Sequence, residues 1–244
     1  MLCVLIFVNL CRTAFLWDNP IFVFYYHQTP YTGISFLELN LWDVDQHHPR
    51  VAALIGQGMT FALSAGRGFL THKGSDGSVH VYAALKVPEE WLKTCGVDWT
   101  DASAARAKLL EMFAGWEDGL LDLIRHCDDA ITPRPIYALP TDHAWPRVPG
   151  VMLLGDAAHV MSPFAGEGAN LAMLDATELA LAIIANPDDL EAALTQYESA
   201  LFPRSAAAAQ SAESLEICFR ADAPQGLLEM FKGFHEQLAE ISSM

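Results

Sequence analysis

The chain has 244 residues, enough for one large domain or two small ones with an ample core. Hydrophobic residues make up 52% and charged residues only 18%, so the class is globular rather than disordered. A net charge of −16, from 30 acidic against 14 basic residues, argues against nucleic acid or an anionic membrane as partner and gives no electrostatic reason to bind NADPH.

Met1 to Trp17 is apolar but interrupted by Asn9 and Arg12, and is too short to span a bilayer. It lacks the positive start and small-residue cleavage site of a signal peptide. It reads as an edge strand, a weak signal, or sequence from a shifted start or misjoined coding segment. The last accounts best for Trp17 to Pro20 and Ile21 to Tyr26, which fit no element a fold needs. Gly33 to Trp42 alternates in character and predicts a strand, followed by His47-His48 in a loop before a proline. Met59 to Leu63, Gly68 to His72 and Val79 to Lys86 predict three more strands, the last pair joined by a hairpin turn centred on Asp76-Gly77. These strands make an antiparallel sheet. Pro88 to Trp91 starts a short helix, and helical spacing recurs over Asp101 to Phe113 and Leu120 to His126. Pro133 to Leu139 returns as a strand. Further helices are predicted over Leu171 to Ala185, Leu190 to Phe202, Arg204 to Phe219 and Leu227 to Ile241, with a break at Pro203.

The informative segment is Gly150 to Asp175. Val151 to Leu154 is a short apolar run ending in Gly155-Asp156, as expected for a strand buried on both faces. A Pro/Gly loop follows, and a helix begins near Gly168. A carboxylate at a strand end can accept hydrogen bonds from a hydroxyl chain. Pro163 fixes φ in the loop, and Gly166 and Gly168 let a flat ligand approach the backbone. Ala169, Asn170 and Leu171 lie in the first helical turn, whose N–H groups face negative charge favourably. A lone Gly-Asp would be only a strand end with a turn cap; the complete string carries more.

Gly155-Asp156-Ala157-Ala158-His159, Pro163 and Gly166-Glu167-Gly168-Ala169-Asn170 together resemble the second flavin motif of the FAD-dependent aromatic-ring hydroxylases, the single-component flavoprotein monooxygenases. Tyr31 to Glu38, Gly77 to Tyr82, Val87 to Trp91 and Pro135 to Pro140 are similar to the tetracycline-inactivating branch. The resemblance implies an α/β (α+β) fold: an antiparallel substrate-domain sheet, part of a Rossmann-like FAD domain, and C-terminal helices. It divides the chain into a leader at 1–30, the sheet with a helical insertion at 31–140, a FAD-binding segment at 141–186 and C-terminal helices at 187–244. It gives Asp156 the ribityl chain of FAD, and Gly155, Pro163, Gly166, Gly168, Ala169, Asn170 and Leu171 the flavin surroundings. It implies NADPH as reductant and oxygen-dependent hydroxylation of an aromatic or polyketide-like small molecule, with no protein nucleophile and hence no catalytic side chain named.

The family opens with a Gly-x-Gly-x-x-Gly turn that cradles the FAD pyrophosphate, and this sequence holds none. The family's Asp-Gly motif upstream of Tyr31 is absent too. The chain therefore reads as the carboxyl-side half of such an enzyme joined to an unrelated leader. Losing three charge-assisted hydrogen bonds to the pyrophosphate, at about 1.5–3 kcal/mol each, weakens binding at least about a thousandfold. The expectation is weak FAD binding or none by the isolated chain. Two rival readings follow: an inactive remnant, and a half-enzyme completed by another chain. A hydrolase has little support, since Ser162 lacks a Gly-x-Ser-x-Gly setting.

By strand-to-strand likeness, Glu38, Met59, Phe61 and His80 fall on positions like those lining the substrate pocket. Glu38 and Met59 differ from the polar residues of the tetracycline-type enzymes, which argues against tetracycline itself. Each has a plainer reading: Met59 and Phe61 as core, His80 as a half-exposed strand residue, Glu38 as facing water. The five scattered cysteines, never in Cys-x-x-Cys, indicate free or buried thiols in the cytoplasm, and the nine histidines form no metal-ligand spacing.

Overall fold

A computed structural model describes residues 3–7 and 29–214, together with positions 225, 228, 229, 232 and 233. The helix expected over Leu227 to Ile241 lies outside these described residues for most of its length, as do residues 8–28. The described chain divides into two compact units. Gly33–Ile136 belong to one, and the first residues of the chain with Tyr137–Glu216 form the other.

The Gly33–Ile136 unit is built on a five-stranded sheet in the order β3-β4-β5-β2-β6. Its strands are β2 (Tyr31–Leu41), β3 (Met59–Ser64), β4 (Arg67–Lys73), β5 (Val79–Lys86) and β6 (Thr132–Tyr137). β3, β4, β5 and β2 pair antiparallel, as their alternation predicts. One face is the core face. Leu37, Leu39 and Leu41 from β2, Phe69 from β4, and Val79, Val81, Ala83 and Leu85 from β5 are fully or almost fully buried. Against them pack Val51 and Ile55 of α2 (Pro49–Ile55), Ala105 and Leu109 of α4 (Ala102–Met112), and Leu123 and Ile124 of α5 (Asp118–Arg125). Asp101 caps α4 by accepting from the amides of Ser103 and Ala104, and Glu117 caps α5 in the same way. The β4–β5 turn closes on Gly77 at φ +80°, with Asp76 accepting from Ser78 N–H at 3.0 Å and Oγ at 2.7 Å. His47-His48 are not a loop. His47 ends the short helix α1 (Val44–His47) and His48 precedes α2, where Pro49 sits at the first helical position that suits proline. Trp91–Thr94 forms the brief helix α3.

In the other unit, β1 (Cys3–Phe7) runs parallel to β7 (Val151–Gly155), with Cys3 opposite Val151 and Phe7 opposite Gly155. Cys3–Phe7 is thus a paired strand, the first of the three readings of the leader. A strand buried on both faces needs such a neighbour for its backbone groups. β7 leads into α6 (Asp156–His159), a 3₁₀ turn at Pro163–Ala165, α7 (Gly168–Ala185) and α8 (Leu190–Ser214). The core gathers Trp145, Met152, Leu154, Ala158, Leu179, Ala182, Leu194, Tyr197 and Leu201. Pro203 does not break α8, which is one helix. Pro203 and Ser199, the residue whose carbonyl loses its partner, are both exposed, so water can satisfy that carbonyl. Buried Tyr197, Leu201 and Ser205 hold the helix on either side. α7 carries Met173, Leu174, Leu181 and Ile184 exposed. α7 is long and apolar enough to cross a membrane by length and composition alone, with a mean hydropathy of 1.4, and 22% of it is buried.

Candidate functional site

β7 delivers the chain to Gly155, whose φ of 61° and ψ of −144° belong to a region essentially restricted to glycine. This reversal places Asp156 at the start of α6, half-buried. Its carboxylate has no partner among the described residues, so it is free to accept hydrogen bonds from a ligand. The stretch expected to be all loop after Asp156 begins with this short helix instead.

Pro163 starts the 3₁₀ turn, and Gly166 at φ +67° ends it, donating its N–H to the Pro163 carbonyl. A Cβ at Gly166 or Gly168 would meet nothing within 4 Å. That open backbone is what a flat ring edge requires. Glu167 precedes α7 without capping it. The amides of Gly168, Ala169 and Asn170 therefore have no partner among the described residues, and Ala169 and Asn170 are exposed. Leu171 is placed differently: its N–H bonds the Glu167 carbonyl at 2.9 Å and its side chain is buried. One unengaged carboxylate and three uncapped amides are thus open to a polar ligand.

Sequence reasoning overlooked the polar cluster behind this surface. Asp175 on α7 is fully buried. It accepts from Gly155 N–H at 2.9 Å, from His159 Nε2 at 2.6 Å and from Arg204 of α8 at 2.9 Å. Burial alone would raise the Asp175 carboxyl, but hydrogen bonds from His159, Gly155 and Arg204 together hold it below its ordinary value. Burial pushes the neighbouring Tyr197 phenol far up, and the Asp175 charge adds to this. The legible signal was a lone Asp within the apolar run from Leu171 to Ala185.

A depressed carboxyl has a defined pH signature. Its contribution to stability is complete above the ordinary value of 3.8 and is lost as pH falls through the lower folded value. Acid denaturation should show this: the stability gap between the unaltered chain and Asp175→Asn stays constant from neutral pH to about pH 5, then narrows below about pH 4. A gap that widens on acidification would contradict the assignment.

Two cavities lie in this unit. One of about 10 Å³, lined by His159 and Ser205, is large enough for a single water. His159 Nδ1 and Ser205 Oγ are both buried without a protein partner, as such a water would require. The other, about 370 Å³, is lined by Tyr31, Leu139, Pro140, Met161 and Ser162 among others. Neither is lined by Asp156, Gly166, Gly168 or Asn170.

In the sheet unit, Glu38, Met59, Phe61 and His80 share one face, opposite the core. Register pairs Glu38 with Tyr82, Phe61 with Leu70, Tyr82 with Leu70, and His72 with both Met59 and His80. Met59 is 63% exposed and Phe61 38%, so neither is core. Glu38 does not simply face water: it is partly covered and pairs with Arg134 of β6 at 2.8 Å. His80 is exposed, and its Nδ1 lies 2.6 Å from Asn40 Oδ1. Burial raises the Tyr82 phenol, and the Glu38 charge acts in the same direction. Among the described residues no group of three or more potential ligands gathers as a metal site.

Residues 146–212 match the family model described as "FAD binding domain". The chain is 44% identical over 103 residues to the FAD-dependent urate hydroxylase of Mycolicibacterium vanbaalenii, covering 41% of this chain and 26% of that protein. It is 38% identical over 114 residues to the chloroplastic zeaxanthin epoxidase of Nicotiana plumbaginifolia, covering 43% and 17%. It is 27% identical over 220 residues to Monooxygenase penA of Penicillium thymicola, covering 72% and 51%. Among solved structures, HpxO of Klebsiella pneumoniae complexed with FAD and uric acid shares the fold at a TM-score of 0.67, with 23% identity over 86% of this chain and 50% of that one. The tetracycline destructase Tet(51) shares it at a TM-score of 0.52, with 16% identity over 87% and 54%. The chain thus spans about half the length of these structures, and from 17% to 51% of these curated relatives.

Proposed function

We propose that this chain, whose residues 146–212 match the family model described as FAD binding domain, is part of an FAD-dependent monooxygenase and supplies the ring-binding portion of a hydroxylase for an aromatic or polyketide-like small molecule. The observation that carries the reading is the half-buried Asp156 carboxylate at the end of β7, which has no partner among the described residues, joined in sequence to three uncapped amides at the start of α7. Asp156 would accept from the ribityl hydroxyls of the cofactor. The amides of Gly168, Ala169 and Asn170 would supply fixed dipoles that stabilise negative charge on the ring. Pro163, Gly166 and Gly168 would shape the backbone around it. Bound FAD supplies the redox chemistry, with NADPH as electron source and O2 as oxygen donor.

For the substrate, the reading uses the outer sheet face. Exposed Met59 and Phe61 offer apolar contact, while His80 and the Glu38–Arg134 pair offer polar recognition. The compartment is the cytoplasm, where thiols such as Cys95 and Cys127 stay free. Because the sequence holds no Gly-x-Gly-x-x-Gly turn, the ring and ribityl chain carry most of the affinity in this reading. A second reading, a remnant that binds no flavin, is the other outcome of the same test.

The test is a titration with riboflavin and with FAD, followed by quenching of flavin fluorescence. Riboflavin should bind, and FAD should bind with similar affinity. Asp156→Ala removes charge-assisted hydrogen bonds at about 1.5–3 kcal/mol each, so affinity for both should fall roughly 10- to 150-fold. Riboflavin binding that ignores Asp156→Ala would overturn the role of Asp156, and no binding of either flavin would support the remnant.

A further inference from the structure

We propose that Asp175 is the positioning residue of the flavin-binding turn, gripping both ends of the segment that presents Asp156. The inference rests on the reading of Asp156 given above and adds to it. One oxygen, Asp175 Oδ2, accepts from Gly155 N–H just before the turn and from His159 Nε2 just after α6. Asp156 lies between these two anchor points. The other oxygen, Oδ1, accepts from Arg204, which ties the carboxylate to α8. Three elements besides its own helix therefore converge on a single buried group.

The chemistry requires a carboxylate. Gly155 and Arg204 can only donate here, and His159 donates from Nε2 in the tautomer this contact needs. An Asn at position 175 would turn an NH2 towards at least one of these donors and lose that contact. With its NH2 in the Oδ2 position the Asn would lose both Gly155 and His159, and with its NH2 in the Oδ1 position it would lose the tie to Arg204 and α8. Glycine reaches the backbone conformation at 155 without strain and keeps wide freedom there, so its surroundings must fix it, and the Asp175–Gly155 bond is one such constraint. The small cavity at His159 and Ser205 has room for a water that would satisfy His159 Nδ1 and leave Nε2 to Asp175.

The experiment compares riboflavin binding, and the visible circular dichroism of the bound ring, in Asp175→Asn, His159→Leu, Asp156→Ala and Leu179→Ala. Leu179 lies on the same helix within the apolar core and has no polar side-chain atom to join the network, so it controls for loss of packing without loss of a network hydrogen bond. Folding is verified by far-ultraviolet circular dichroism before titration. Asp175→Asn and His159→Leu should each weaken riboflavin at least about tenfold and change the ring's dichroism, while Leu179→Ala stays within about twofold. If Asp175→Asn does not fold, His159→Leu decides. The inference falls if the network variants fold and bind like the unaltered chain, or if Leu179→Ala loses affinity equally. In the first case a loss confined to Asp156→Ala leaves the flavin reading standing; no binding by the unaltered chain removes both.

Discussion

Replacing Phe113 with alanine should lower the stability of the sheet unit by about 3–5 kcal/mol, the range for emptying a large aromatic site in a packed core. Phe113 follows the last turn of α4 and is fully buried. Its ring stacks on Phe69 of β4 at 4.3 Å and 24°, and Trp116 meets it edge-on at 5.1 Å. Phe69 is itself fully buried, so truncation leaves a void bounded by rigid aromatic faces that collapse poorly. Each aromatic pair adds about 0.5–1.5 kcal/mol beyond area burial. Urea unfolding followed by far-ultraviolet dichroism measures the loss, and Phe113→Leu, which keeps more volume, should cost clearly less. A loss below about 1 kcal/mol for the alanine variant would contradict the packing described.

Gly155→Ala should damage stability and binding together. At φ 61° and ψ −144° a Cβ is strained whatever space surrounds it, at about 1–3 kcal/mol. The chain can relieve the strain only by rotating the peptides on either side. One of them carries the N–H held by Asp175, and the other leads into Asp156. The expected result is a destabilisation of about that size with a fall in riboflavin affinity. Thermal unfolding and flavin titration of the same sample check it. Unchanged values in both would mean that the turn is not constrained as described.

The sheet was legible because its strands alternate against one buried face, and Val79–Lys86 and the Asp76-Gly77 turn stand where pattern and turn chemistry put them. Three features were hidden for separate reasons. His48-Pro49 reads locally as a chain break, yet proline is at home at a helix start. Pro203 reads as a helix end, and only burial on both sides of it shows why α8 continues. Cys3–Phe7 has no meaning until its partner strand, far off in sequence, is known. In the candidate site, the Gly155-Asp156 strand end and the Gly168 helix start follow from the string itself. The Asp175 cluster joins four elements through single side chains, and no local periodicity encodes that. His159 was within the motif, but its partner sixteen residues on needed coordinates.

Flavin binding at the residue 155–170 segment can be read from backbone amide NMR of the full chain during a riboflavin titration. Shifts should concentrate at Gly155, Asp156, Gly166, Gly168, Ala169 and Asn170, with core amides such as Leu194 still. Saturable shifts centred on other residues, with these six unmoved, would contradict it.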